Sequence, residues 1–195
     1  MPEELVDVYN PDGSKTGEIL TKEKAIKIGA LIKACQVWII NSNNEVLMQI
    51  RSNDKIHDAG MLDLCSGHVQ SGETEITAVV REIKEELGKE VFSEEEFRSM
   101  QKVGIGRVDF TKFGRMGNYI VPWYLLKLDR QIPEEVFNLQ KEEVAKIKWI
   151  EYEKVKQAIN EGRKEIRIPK IDSVLALLKK LDNKIYDRNF ENNER

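Results

Sequence analysis

Between Gly67 and Gly88 the chain commits a dense set of charges to one short segment at fixed spacing. Glu73 lies six positions after Gly67, and seven residues later comes Arg81-Glu82-Ile83-Lys84-Glu85-Glu86-Leu87-Gly88. At about 100° per residue, Ile76, Val79, Val80, Ile83 and Leu87 form one stripe. Glu82, Glu85 and Glu86 gather on what reads as roughly the opposite face. Thr74 is a natural N-cap, because its hydroxyl can accept from an otherwise unpaired backbone N–H. Gly88 suits the left-handed turn that ends helices, so a helix is predicted from Glu75 to Leu87. Carboxylates three and four positions apart face each other and destabilise a helix by about 0.2–0.5 kcal/mol per pair. A bound cation is the expected reason for tolerating them. A merely solvated face would need neither a glycine nor a glutamate at set distances upstream.

Composition limits what surrounds this segment. The 195 residues are 41% hydrophobic, enough for one domain with a real core. Residues 1–187 are expected to form it, with 1–30 as a hairpin arm, 171–187 as a closing helix and 188–195 as a flexible tail. Thirty-one basic against 34 acidic residues leave a net charge of −3. That balance offers no general attraction to nucleic acid or an anionic membrane, so anion binding must be local. Cys35 and Cys65 are the only cysteines and fit no disulfide or zinc pattern. The first residues lack a basic stretch followed by an apolar one, and no apolar run approaches the ~20 residues needed to span a bilayer. A cytoplasmic protein is expected.

Strand and turn chemistry organise the flanks. Leu5–Tyr9 alternates, Asn10-Pro11-Asp12-Gly13 turns, and 16–20 returns, which predicts an N-terminal hairpin. An isolated hairpin needs something to pack on, and a homodimer through it would supply that. Residues 34–40 and 45–50 read as a second hairpin around Asn41–Asn44, apolar enough to be central. Strands follow at 103–110, 119–128 and 144–150, with Pro122 implying a bulge or an edge. Helices are predicted at 151–161 and 171–185, the latter burying Ile171, Val174, Leu175, Leu178 and Leu181. The fold class is α/β.

The segment from Gly67 to Gly88 resembles the signature of the Nudix hydrolases in every polar position. One departure is Lys89, where that family places an aliphatic residue, and Val91 is the residue available to take its place. The resemblance implies an α/β/α sandwich with a mixed sheet, and a metal-dependent attack of water on a diphosphate. It implies Mg²⁺ or Mn²⁺ held by Glu82, Glu85 and Glu86 with the Ser66 carbonyl, Arg81 orienting a glutamate, and Glu73 supporting the loop or a metal's water shell. Gly67 would let backbone approach the phosphates. Glu73 as a simple helix cap is the bland alternative. The general base varies in this family, and Glu142 or Glu143 are the candidates outside the helix, against a reading as ordinary surface glutamates.

Residues 5–88 are similar to the branch near type 1 isopentenyl diphosphate isomerase, in which an Arg and a Lys four apart bind diphosphate; Arg51 and Lys55 match. Isomerisation is therefore a rival function. That enzyme places its acid cysteine directly before Gly-His, where this chain has Ser66, and Cys65 is one residue too early. A one-residue offset in a strand turns the side chain to the other face. The isomerase also needs several histidines, and only His57 and His68 are present. A noncatalytic nucleotide-binding module is a third reading, against which the intact carboxylate set argues. His68 reads as a hydrogen-bonded structural residue, Cys65 as a small buried hydrophobe. Phe113, Tyr119, Trp123 and Tyr124 could stack a base or belong to the core. The substrate is expected to be a small diphosphate of unassigned identity.

Overall fold

The computed structural model describes residues 3–55 and 57–186. In chain order its elements are β1 (Leu5–Tyr9), β2 (Lys15–Thr21), α1 (Lys22–Lys27), β3 (Leu31–Ile40), β4 (Glu45–Arg51), β5 (Leu62–Asp63) and β6 (Cys65–His68). There follow α2 (Glu75–Glu86), α3 (Glu94–Arg98), β7 (Gln101–Asp109), β8 (Asn118–Lys127), β9 (Val144–Glu151), α4 (Tyr152–Glu161) and α5 (Asp172–Ile185). The tail expected at 188–195 lies outside the described residues.

Alternation along β3 sets the layers, since successive side chains point to opposite faces of a strand. Ile32, Trp38 and Ile40 face a core shared with α4 and α5, where Trp38 packs on Trp123 at 5.2 Å between ring centroids and on Tyr152 at 6.0 Å. Cys35, Val37 and Ile39 face a second core under α2 and α3. Helices thus cover both faces of a mixed sheet. In α5 the buried set is Val174, Leu177, Leu178, Leu181 and Ile185, so Leu177 rather than Leu175 lies at the centre of its stripe.

The expected second hairpin does not form as one. β3 and β4 pair only at Ile40↔Val46, beside the turn. Beyond it they diverge, because each finds longer partners elsewhere. β3 runs parallel to β8 from Leu31↔Asn118 to Ile40↔Lys127 and antiparallel to β6 from Ala34↔His68 to Val37↔Cys65. β4 runs antiparallel to β9 from Glu45↔Glu151 to Arg51↔Val144, and β5 adds at Gln49↔Asp63. This divergence opens the cleft that holds the site.

Pro122 is not on an edge. It lies in β8 between β3 and β7, opposite Ile105. Its missing N–H is accommodated by a break in the parallel ladder, which skips from Lys33↔Ile120 to Gln36↔Trp123. The N-terminal hairpin does form, and it packs on its own chain: β1 meets β3 at Val8↔Ile32, and Val6, Val8 and Leu20 are buried. The packing need that suggested a dimer is met internally. No helix among the described residues is long and apolar enough to cross a membrane.

Candidate active site

Helix α2 begins as its sequence predicts. Thr74 accepts from the Thr77 backbone N–H at 3.2 Å, and the Thr77 hydroxyl lies 3.0 Å from the Thr74 N–H, a reciprocal cap. Val79, Ile83 and Leu87 are fully buried, each worth about 1.5–3 kcal/mol. Ile76 is more than a third exposed. Past the helix, Gly88 has φ +114°, and Val91 is buried where Lys89 is exposed.

The acidic face is beside the packed stripe, not opposite it. Glu82 and Glu86 are rotated by only about 60° and 20° from Val79 at 100° per residue. Glu86 is consequently buried, and its carboxylate accepts from Gln49 Nε2 at 2.9 Å. Glu82 is half-buried under β6, and Glu85 is exposed. Burial pushes the Glu82 carboxyl up to about 7 against the pull of Arg81. Burial, with the charge of Glu82, pushes Glu86 up to about 8. Carboxyls in such surroundings ionise readily only beside a cation.

Arg81 is the hub of this end. It donates to Glu73 through Nε at 2.9 Å and Nη2 at 3.1 Å, a forked pair, and through Nη1 to Glu82 at 2.7 Å and Glu85 at 3.1 Å. Its Nη2 also reaches the His68 carbonyl at 2.9 Å, tying α2 to β6. Glu73 accepts from the Gln70 N–H as well, at 3.1 Å, so it braces the loop; Thr74, not Glu73, caps the helix. At Gly67 a Cβ would fall inside the Glu82 carboxylate, so only glycine leaves room there.

These groups border a cavity of about 650 Å³, with Ser66, Gly67, His68, Glu82, Glu85 and Glu86 on one wall. Arg51, Lys55, Asp63, Glu143 and Arg167 line another part of it. Of the two glutamates proposed outside the helix, Glu143 lines the cavity and pairs with Lys55, whereas Glu142 is exposed outside the lining. Glu142 is therefore outside the cavity, because the turn before β9 sends these two consecutive side chains in different directions. Arg51 donates to the His57 carbonyl at 3.3 Å and lies 3.8 Å from Asp63. Tyr119 and Trp123 line the cavity with Phe110, while Tyr124 hydrogen-bonds Glu75 on the other face and Phe113 is exposed.

Of two readings of single residues, that of His68 changes and that of Cys65 as a small buried hydrophobe holds. His68 lies on β6, not in a loop, and its ring packs on Tyr119 at 5.7 Å with Nε2 buried and unpartnered among the described residues. Burial, aided by Lys22, holds this imidazole down to about 4. Cys65 packs in the α2 core, and burial followed by the charge of Glu86 raises its thiol well above the usual range. Ser66, not Cys65, lines the cavity.

Sequence reasoning missed Gln49, Asp63 and Arg167. Each carried a signal: a lone polar residue set between apolar neighbours, as in Leu62-Asp63-Leu64 and Ile166-Arg167-Ile168. Such a residue in a buried strand requires a partner.

The donor set is all oxygen, which suits a hard divalent ion that keeps some of its waters. Among the described residues no three acidic, His or Cys side chains stand ready-grouped around an ion position. Arg81 and Gln49 hold the carboxylates instead, with Glu82 packed against Gly67.

Comparison with known proteins bears on the family and the fold. A model of the NUDIX domain matches residues 31–168. Nudix hydrolase 3 of Arabidopsis thaliana is 33% identical over 166 residues, 82% of this chain and 21% of that protein. Isopentenyl-diphosphate Delta-isomerase of Pectobacterium atrosepticum is 33% identical over 89 residues, 45% of this chain and 49% of that one. The chain thus spans a fifth of the first relative's length and about half of the second's. A solved protein of Deinococcus radiodurans superposes with TM-score 0.61 at 22% identity, covering 90% of this chain and 98% of that one. The NUDIX domain of Shewanella oneidensis NrtR, solved with ADP ribose, gives 0.55 at 15% identity, covering 85% and 99%. With well over half of its length matched by the family model, the chain belongs to the NUDIX domain family.

Proposed function

We propose that this chain hydrolyses a diphosphate bond in a small molecule, with Mg²⁺ or Mn²⁺ held by Glu82, Glu85, Glu86 and the Ser66 carbonyl. The observation that carries the reading is one cavity shared by three glutamates of α2 and the cations Arg51 and Lys55. The bound ion would neutralise charge on the diphosphate and make a water nucleophilic. Arg81 and Glu73 hold the glutamates in place, Arg51 and Lys55 fix the diphosphate, and Glu143 is within the cavity as a general base. Glu143 would take the proton from the attacking water while Lys55 moves to the phosphate. The name of the Arabidopsis relative supports hydrolysis.

The isomerases among the relatives support the diphosphate but not the reaction. An acid for carbon is missing where that chemistry requires it: Ser66 lines the cavity, and Cys65 is turned into the α2 core. A panel of nucleoside diphosphates, dinucleotides, nucleotide sugars and prenyl diphosphates, with and without Mg²⁺ and with products identified by mass spectrometry, tests the reading. Metal-dependent cleavage of a diphosphate bond is expected. Conversion of isopentenyl diphosphate to dimethylallyl diphosphate would overturn it.

A further inference from the structure

Opposite the glutamates, three arginines share two aspartates. Asp58 accepts Arg167 Nε at 2.9 Å and Arg115 Nε at 3.1 Å. Asp63, only 2% exposed, accepts Arg167 Nη1 at 3.0 Å and has Arg51 Nη1 at 3.8 Å. Three part-buried guanidinium charges against two carboxylates leave one positive charge over. Two of the three arginines, Arg51 and Arg167, line the cavity; Arg115 is not among its lining residues.

Arg167 is held as a binding group would be. The stretch 165–167 makes a single parallel bridge to β5 at Leu62↔Ile166, with Leu62 N–H donating to the Glu165 carbonyl and Arg167 N–H to the Leu62 carbonyl, each at 2.8 Å. That brings Arg167 beside Asp63, with its guanidinium over the Phe110 ring at 4.9 Å. Two of the three nitrogens of the planar group, Nε and Nη1, are committed to the aspartates. Its Nη2 makes no hydrogen bond among the described residues, and the buried Nε of Arg51 has no partner there either. Nη2 of such a rigidly held guanidinium carries two N–H donors, which suit phosphate oxygens.

We propose that Arg167 binds the substrate diphosphate directly, as a third cation beside Arg51 and Lys55, with Asp58 and Asp63 as its holders. This rests on the hydrolase reading only for the identity of the anion. Arg167 enters the cavity from the segment between α4 and α5.

Methylenediphosphonate, a diphosphate that cannot be hydrolysed, is titrated calorimetrically into the full chain in the presence of Mg²⁺. Arg167→Gln is expected to weaken binding about 10–100-fold, the range for a hydrogen bond to a charged group. Arg167→Lys, which keeps charge and loses the fork, should weaken it less and guards against misfolding of the first variant. Arg115→Gln removes an ion pair to the same Asp58 without removing a cavity cation, so it should lower the melting temperature and leave the affinity unchanged. Unchanged affinity in Arg167→Gln, or equal weakening in Arg115→Gln, overturns the proposal. Turnover of a diphosphate substrate and its loss in Glu85→Gln report on the hydrolase reading separately, since the analogue is read by binding alone.

Discussion

The acidic and basic ends of the cavity are built in opposite ways. Glu73, Arg81, Glu82, Glu85 and Glu86 come from one stretch, held by a hub arginine and a capped helix. Arg51, Asp58 and Asp63 come from one short stretch running from the end of β4 to β5, and Arg167 from far downstream; Arg167 and Asp63 are 104 positions apart. The first end is organised by helical periodicity, the second only by the folded sheet. Local geometry concentrates like charges at the proposed metal site. Tertiary geometry gathers cations at the proposed diphosphate site. The two ends should therefore fail differently when altered, one in the rate of the chemical step and the other in affinity.

Glu85→Gln or Glu86→Gln should give the largest effect, lowering kcat about a thousandfold. A metal-assisted step is worth several kcal/mol, and about 1.4 kcal/mol is tenfold. Circular dichroism and thermal melting should show the fold intact. Next, Glu143→Gln should cost about a hundredfold in kcat, the lower range for a general base, while Glu142→Gln, an exposed neighbour, costs nothing measurable. Equal effects would remove Glu143 from its role. Arg51→Gln and Lys55→Gln should raise KM about tenfold with kcat largely retained, the signature of lost uniform binding. A fall in kcat as deep as that of Glu85→Gln would erase the contrast between the two ends. Smallest of all, Thr74→Ala should lower stability by about 1 kcal/mol through the lost cap and leave kcat alone, as chemical denaturation and steady-state rates would show.

The same contrast explains what could be read from the chain. Thr74, Gly88 and the helix between them were legible because capping and periodicity act within a few residues. Glu86 was legible as a member of the acidic set but not as a buried one, since only packing against Gln49 decides which border of the stripe is covered. The turn at Asn41–Asn44 was legible, yet the hairpin it announced separates after one pair, because β8 and β9 outcompete the sequence neighbour. β5, β6 and the six-residue α1 carry too few residues to show a period. Asp63 and Arg167 showed as lone charges between aliphatics, and nothing short of the fold could name each as the other's partner.

Hydrolysis by water attack on phosphorus is tested most directly by turnover of a cleaved substrate in ¹⁸O-labelled water with Mg²⁺. Mass spectrometry of the products should find one ¹⁸O in a phosphate-containing product, no product without metal, and none beyond background with Glu85→Gln. A product that carries no ¹⁸O on phosphorus, or cleavage that persists fully in Glu85→Gln, would contradict it.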